Sequence, residues 1–437
     1  MHEEESFLVQ TSTSTGAKKV LIAVDSFPVT GGSRVDKFVK FLPRFGVEPI
    51  LLSAKESLSA HSKELRRRFY PAELKTYQAA SIGRAYFSER FLVRGPEAKH
   101  YRLLSLLSFP ERCVFVPDYK VRWIPLGIRL ARDIVSREKI GVVLTSSPPE
   151  STHLIGLHLK QKLGIRWVAD FRNLWTEKKL MYRPPTRLHD WWVRRLERKI
   201  FQTADHIIAN TPENADNYVK RFGLSRERIS VIPNGFDRDD LAFAQTRVCA
   251  RDVFRIGYSG SLDKHDFPWR LCLEAVKRLA LKVGREKVRF VHCGYQSEQI
   301  KNYLKTEQME DLVESHGELP HSEAMRLTAD THIRLLMLYE NAYSTSIVPM
   351  KLYNYLIMNG PILAVAPEQG ATADIIAQTR TGMVISPSRG AEPIYRALEN
   401  YYGAWKHGAL SIDPDHDKIA RYDRSSQAKQ LAKILIH

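Results

Sequence analysis

Short, compact apolar runs recur along the chain: VLIAV (20–24), EPILLS (48–53), IGVVLTSS (140–147), RWVADF (166–171) and HIIAN (206–210) in the first half. Each is too short for a helix and is bounded by turn residues, so each predicts a buried strand. Between them lie segments with helical spacing. DKFVKFLPRF is closed by Gly46, a stretch from Arg122-Trp123-Ile124-Pro125 runs to about Ser136, and STHLIGLHLKQKLG occupies 151–164. A basic helical stretch covers Leu188–Gln202, and Thr211-Pro212 caps a helix that ends at Phe222-Gly223. After ISVIPNGFD (229–237) the alternation resumes. FRIGYS, VRFVHCG, LVESHGELP, IRLLML, ILAVA and GMVIS read as strands, with WRLCLEAVKRLALKVG and HSEAMRLTADT between them. The final YDRSSQAKQLAKILIH is an amphipathic helix.

Strand, turn, helix, strand in regular succession predicts an α/β chain of doubly wound sheets. The pattern breaks near residue 235, where Pro233, Asn234 and Gly235 make a sharp turn, so two Rossmann-like halves are expected. The expected boundaries are a disordered leader over 1–17, an N-terminal domain over 18–237, a polar linker over 238–252, a C-terminal domain over 253–412 and a helical tail over 413–437. Residues 54–120 are irregular, basic and aromatic and predict little structure.

Composition narrows the class of protein. No apolar run approaches the length that spans a bilayer, and the acidic, Ser/Thr-rich start lacks the n- and h-regions of a signal peptide. Cys113, Cys249, Cys272 and Cys293 show neither C-x-x-C pairing nor zinc spacing, which points to reduced thiols and a cytoplasmic setting. The formal net charge of +17 concentrates between Lys63 and Arg102 and around Arg194, Arg195, Arg198 and Lys199. Aromatic residues interleave the first cluster. The charge reads either as solvated surface or as contact with an anionic membrane, which would place the protein peripherally at the inner face. No reader motif accompanies it, so nucleic acid is not an expected partner.

Candidate chemistry gathers where strands end. In YSTSIVPMKLYNYLIMNGPILAVAP (343–367), Ser344, Thr345 and Ser346 precede a predicted helix whose apolar face is Met350, Tyr353, Ile357 and Met358, with Lys351 in its first turn. Helix-terminal amides with a lysine form an anion site. Gly257, Gly260 and Ser261, followed by Lys264, form a second phosphate-facing loop, and Gly31-Gly32 allow close approach of backbone to a diphosphate. Ser146 and Ser147 end one strand, and Asp170, Arg172 and Asn173 end the next. His153 lies one turn into the following helix, where a histidine is more often packed than catalytic.

Pro349-Met350-Lys351-Leu352-Tyr353-Asn354-Tyr355-Leu356 with Gly360-Pro361-Ile362 resembles the donor-binding segment of GT-B glycosyltransferases of retaining family 4. Phe27-Pro28 with Gly31-Gly32, the Thr-Ser-Ser-Pro-Pro and Ala-Asp-Phe-Arg-Asn-Leu-Trp segments, and Val231-Ile232-Pro233-Asn234-Gly235-Phe236-Asp237 are also similar to that family. The resemblance implies a GT-B fold, two Rossmann-like domains facing a cleft, and retaining transfer from a nucleotide-diphosphate sugar to a saccharide or lipid-linked acceptor in surface-polysaccharide assembly. It implies Asp170, Arg172 and Lys351 as catalytic residues, with donor contacts from Gly31, Gly32, Gly260, Ser261, Lys264, Ser346, Ile347, Val348, Lys351, Leu352 and Asn354. The acceptor side would be Ser146, Ser147, His153, Asn173 and Trp175. No cofactor or metal is expected. One departure stands out: the family's two acidic positions fall at Ser346 and Asn354, and an amide cannot replace the charge-assisted grip of a carboxylate on ribose hydroxyls. A catalytically silent binding protein and a transferase with an unusual donor are the competing expectations.

Overall fold

The computed structural model describes residues 16–27, 34–55, 74–82, 107–177, 184–240, 252–262, 267–341 and 343–437. Seven strands form the first sheet: β1 (Lys18–Val24), β2 (Val47–Ala54), β3 (Thr76–Ala79), β4 (Val142–Ser147), β5 (Arg166–Phe171), β6 (His206–Ala209) and β7 (Ile229–Val231). Their order is β3-β2-β1-β4-β5-β6-β7. β1 pairs in parallel with β2 and β4, β2 with β3, and β4 with β5. The second sheet contains β8 (Phe254–Ser259), β9 (Val288–Cys293), β10 (Val313–Ser315), β11 (Ile333–Met337), β12 (Ile362–Val365) and β13 (Gly382–Ile385). It runs β10-β9-β8-β11-β12-β13.

Each sheet therefore winds outward from its first strand in one direction and then, starting from the fourth, in the other. That is the order of dinucleotide-binding domains. The reversal lies between β1 and β4 in one sheet and between β8 and β11 in the other. The crevice beyond the carboxyl ends of those strands is where such sheets bind ligands.

The chain divides into two compact units. One extends to Ile208 and includes Ala428–His437; the other is Ala209–Gln427. The division falls before the hinge expected near residue 235. In the first unit, Lys18 and Arg166 donate to the carbonyls of Ile436 and Ile434 at 2.6 Å each, placing two cations at the carboxyl end of helix Arg424–Ile436. The helix His153–Leu163 lies so close to β5 that a β-carbon on Gly156 would fall 2.1 Å from the indole nitrogen of Trp167. In the second unit, Leu335, Met337, Leu363 and Val365 enter one apolar cluster, while Leu336, Ile362 and Ala364 enter another. This two-residue alternation buries both faces of the sheet.

Several expectations need correction. β3 lies within the stretch where no element was expected. The helix after Pro349 ends at Tyr355, not Met358, and Met350 is 47% exposed, so it is not part of the buried face. Helices Glu298–Thr306, Ala371–Thr379 and Ala391–Lys406 were not assigned from the sequence. Most of the expected leader and most of the expected linker lie outside the described residues.

Candidate functional site

In the second unit, β8 ends at Ser259 and the chain turns at Gly260 with φ +126°. The Gly260 amide donates to the Cys293 carbonyl at 2.7 Å, and the Gly260 carbonyl accepts from His292 Nε2 at 2.8 Å. Gly294 follows β9 with φ +154°, and a β-carbon there would lie 2.3 Å from the Gly260 oxygen. The two loops meet only because both residues are glycine.

Lys351 reaches this turn from the helix Met350–Tyr355. Its Nζ stands 3.9 Å from the centre of the Tyr258 ring, and a β-carbon on Gly260 would come within 2.7 Å of it. The ring face is the negative end of the aromatic quadrupole and holds the ammonium in place. The Tyr258 hydroxyl donates to the Ser261 carbonyl at 3.2 Å, and burial raises its pKa well above 10.0, so it stays a neutral donor. The Tyr355 hydroxyl accepts from the Ser259 amide at 3.4 Å. A fixed cation beside glycine backbone, at the carboxyl end of the sheet's first strand, is suited to an anionic ligand.

The loop before that helix is held from below. Thr372 Oγ1 donates to the Ile347 carbonyl at 2.7 Å, and a β-carbon on Gly370 (φ +100°) would fall 2.3 Å from the Thr345 carbonyl oxygen. Ser344 and Ser346 donate their hydroxyls to the carbonyls of Asn341 (2.6 Å) and Tyr343 (3.1 Å). These serines therefore shape the turn, and the six-residue helix adds little dipole. Val348 and Leu352 are buried in the core. Beyond β11, Glu340 accepts from Ser386 Oγ at 2.8 Å and from the Ser388 amide at 3.2 Å. The Asn354 amide nitrogen is 3.4 Å from His321 Nε2 and 3.5 Å from Met325 Sδ.

In the first unit, the register pairs Ser146 with Asp170 and Ser147 with Phe171. Asp170 is fully buried: Ser146 Oγ donates to its Oδ2 at 2.7 Å, and Arg34 NH2 stands 3.0 Å from Oδ1 with both side chains about 1% exposed. Arg172, just past β5, reaches across to the end of β4, donating to the carbonyls of Ser147 (2.8 Å) and Pro148 (3.0 Å). Burial lowers its pKa, opposed by the nearby Asp170 carboxylate. Ser147 is buried, and Asn173 is half-buried. Nearby, Lys120 pairs with Asp25 at 2.9 Å, and Asp118 accepts from the Ser151 hydroxyl (2.7 Å) and amide (2.9 Å). Burial raises the Asp118 pKa against those hydrogen bonds.

Two acceptor-side expectations change. Trp167 Nε1 donates to Thr145 Oγ1 at 2.8 Å, and that hydroxyl also hydrogen-bonds with His153 Nδ1 at 2.8 Å. His153 lies 4.2 Å from the Phe171 ring, and desolvation pushes its pKa to about 3. It is a packed core histidine, not a base. Trp175 is buried as well. Gly31, Gly32 and Lys264 lie outside the described residues.

Of the expected donor residues, Gly260, Ser261 and Lys351 come together. Sequence reasoning missed Tyr258, Tyr355, Gly294 and Arg34. Tyr258 sits inside an apolar run and reads as core. The one available signal was the glycine that follows each of β8 and β9.

Comparison with known proteins bears on the fold and the family resemblance. Residues 33–240 match the family model described as Glycosyltransferase Family 4. The Phosphatidylinositol N-acetylglucosaminyltransferase GPI3 subunit of Saccharomyces cerevisiae (strain YJM789) is 22% identical over 315 residues, covering 70% of this chain and 65% of the relative. The chain thus spans just under two thirds of the length of the curated relatives it matches. A glycosyltransferase from Rickettsia africae ESF-5 has a TM-score of 0.59 at 13% identity, covering 96% of this chain and 97% of that one. WaaG, a glycosyltransferase involved in lipopolysaccharide biosynthesis, has a TM-score of 0.55 at 14% identity, with 95% and 98% covered. The structural matches establish a GT-B fold of two Rossmann-like domains. The chain resembles the glycosyltransferases of family 4, with the match to that family's model confined to residues 33–240.

Proposed function

We propose that the protein transfers a sugar from a nucleoside-diphosphate donor to the hydroxyl of a lipid-linked acceptor, with retention of configuration and without a metal. The second unit takes the donor and the first unit the acceptor, at a membrane surface. The observation that carries this is Lys351, held on the Tyr258 ring beside the Gly260 turn. A leaving diphosphate gathers negative charge, and a positioned ammonium with backbone amides stabilises it in the transition state. The lipid-borne acceptor draws support from two similar proteins, a phosphatidylinositol N-acetylglucosaminyltransferase subunit and a glycosyltransferase involved in lipopolysaccharide biosynthesis. The acceptor pathway is therefore not confined to surface polysaccharide.

The test is thermal stabilisation by UDP, GDP, ADP, TDP and CDP and their common sugar conjugates, with and without EDTA. The expected result is selective stabilisation by one nucleotide class that EDTA leaves unchanged. Stabilisation that EDTA abolishes would overturn the metal-free part. No shift with any of them would favour the second reading, a catalytically silent GT-B protein. Asn354 supports that reading, since its amide faces His321 and Met325 where the family carries a carboxylate.

A further inference from the structure

We propose that the outward face of helix Arg187–Thr203 is a docking surface for an anionic lipid membrane. The inference deepens the reading above, on which it rests for the lipid-linked acceptor, by naming where the protein meets the bilayer.

The helix buries Val193, Glu197, Ile200 and Phe201 against its own unit. Opposite them, at i, i+3, i+4, i+7, i+10 and i+11, stand Leu188, Trp191, Trp192, Arg195, Arg198 and Lys199. An ordinary surface helix is polar on that side. Here the first turns carry Leu188, 70% exposed, Trp191, 58%, and Trp192, 43%. The last turns carry three cations, and the Arg195 guanidinium lies 5.9 Å from the Trp191 ring centre. The helix's two acids are engaged elsewhere: Asp190 accepts from Arg194 at 2.9 Å, and Glu197 from Thr176 Oγ1 at 2.6 Å. Among the described residues of this helix, the outward face therefore carries no acid.

A neighbouring element also exposes apolar side chains. His189 Nε2 meets the Cys113 carbonyl at 3.1 Å, which ties the helix to Phe109–Val114. There Phe109 is 43% exposed and Val114 74%.

Charge decides the occupant. Exposed indoles beside arginine and lysine match the interface of a bilayer, where the rings sit at headgroup depth and the cations meet anionic lipid. The chain's net charge of +17 favours that encounter. Among the described residues no helix is long and apolar enough to cross a membrane, so attachment there would be along a surface.

The experiment is sedimentation of the full chain with vesicles of phosphatidylcholine, alone or mixed with phosphatidylserine, at low and raised salt. The expected result is binding to the mixed vesicles that declines with salt and is accompanied by a blue shift of tryptophan emission. Trp191→Ala/Trp192→Ala should weaken partitioning roughly tenfold, and Arg195→Gln/Lys199→Gln should remove most of its salt dependence. Both variants should keep wild-type melting temperature, since the side chains are exposed. No wild-type binding at low salt, or unchanged binding by the tryptophan variant, would overturn the proposal. So would vesicle-free self-association that the tryptophan variant abolishes, which would assign the face to a second copy. Nucleotide stabilisation measured in the same variants separates the two readings: it should survive loss of vesicle binding, and its absence alongside intact vesicle binding would sink only the donor assignment.

Discussion

Lys351 holds its ammonium nitrogen 3.9 Å above the Tyr258 ring, and the missing side chain of Gly260 is what leaves room for it there. Three chain segments make that relationship: the end of β8, the turn after it and the helix following Pro349. Each is placed by the sheet, because β8 is the strand at which the winding order reverses.

Replacing Lys351 by alanine removes the fixed cation without opening the core, since the residue is only half-buried. The expected outcome is nucleoside-diphosphate affinity lower by roughly ten- to a hundredfold and a near-normal melting temperature. Calorimetric titration of the folded variant decides it, and unchanged affinity would remove Lys351 from the site.

Asp170 behaves differently. Its carboxylate pairs with the fully buried Arg34, so Asp170→Ala removes a counter-charge from a guanidinium in the interior. Such a loss costs about 3–5 kcal/mol. Urea unfolding should show that destabilisation. A variant of wild-type stability with abolished transfer would instead make Asp170 a catalytic group.

His153 should make the fold acid-sensitive. Burial lowers its pKa from 6.5 to about 3, so in that window the unfolded chain binds a proton that the folded protein does not. Stability therefore falls as pH falls, by roughly 1.4 kcal/mol per pH unit, and is unaffected above the window. Glu138, held down to about 2 by hydrogen bonds from Lys19 and then Lys75, contributes in the same direction only below its ordinary value of 4.5. Unfolding measured between pH 6.5 and 5 should show the slope in the wild type and a smaller one in His153→Leu; equal slopes would acquit the histidine.

Asn354→Glu restores the family's carboxylate next to His321. The expected outcome is severalfold tighter nucleoside-diphosphate binding, with greater discrimination against the 2′-deoxy form. Equal binding of both forms by wild type and variant would mean that this position does not touch ribose.

The candidate residues whose positions follow from the sequence share a property: each is placed by local chain chemistry. The glycine turn at Gly260, Lys351 after Pro349 and the strand ends at Ser146 and Asp170 are all set by neighbours in sequence. Tyr258 was missed because a tyrosine within an apolar strand looks the same whether its ring meets leucine or an ammonium. His153 stands among the expected acceptor-side residues, and only its contacts with Thr145 and Phe171 make it a core residue. The serines at 344 and 346 suggested anion contacts, yet the turn uses both hydroxyls on its own carbonyls.

By itself, the sequence determined the alternation of buried strands and helices, and with it two doubly wound sheets, because side-chain period and turn chemistry act over a few residues. It also carried the family resemblance and the loss of two carboxylates. Tertiary structure alone decided which strand ends became neighbours, that Arg34 neutralises Asp170, and that Trp191 and Trp192 face outward while Phe201 faces inward. Those outcomes depend on which surfaces pack together, and packing brings together groups far apart in the chain.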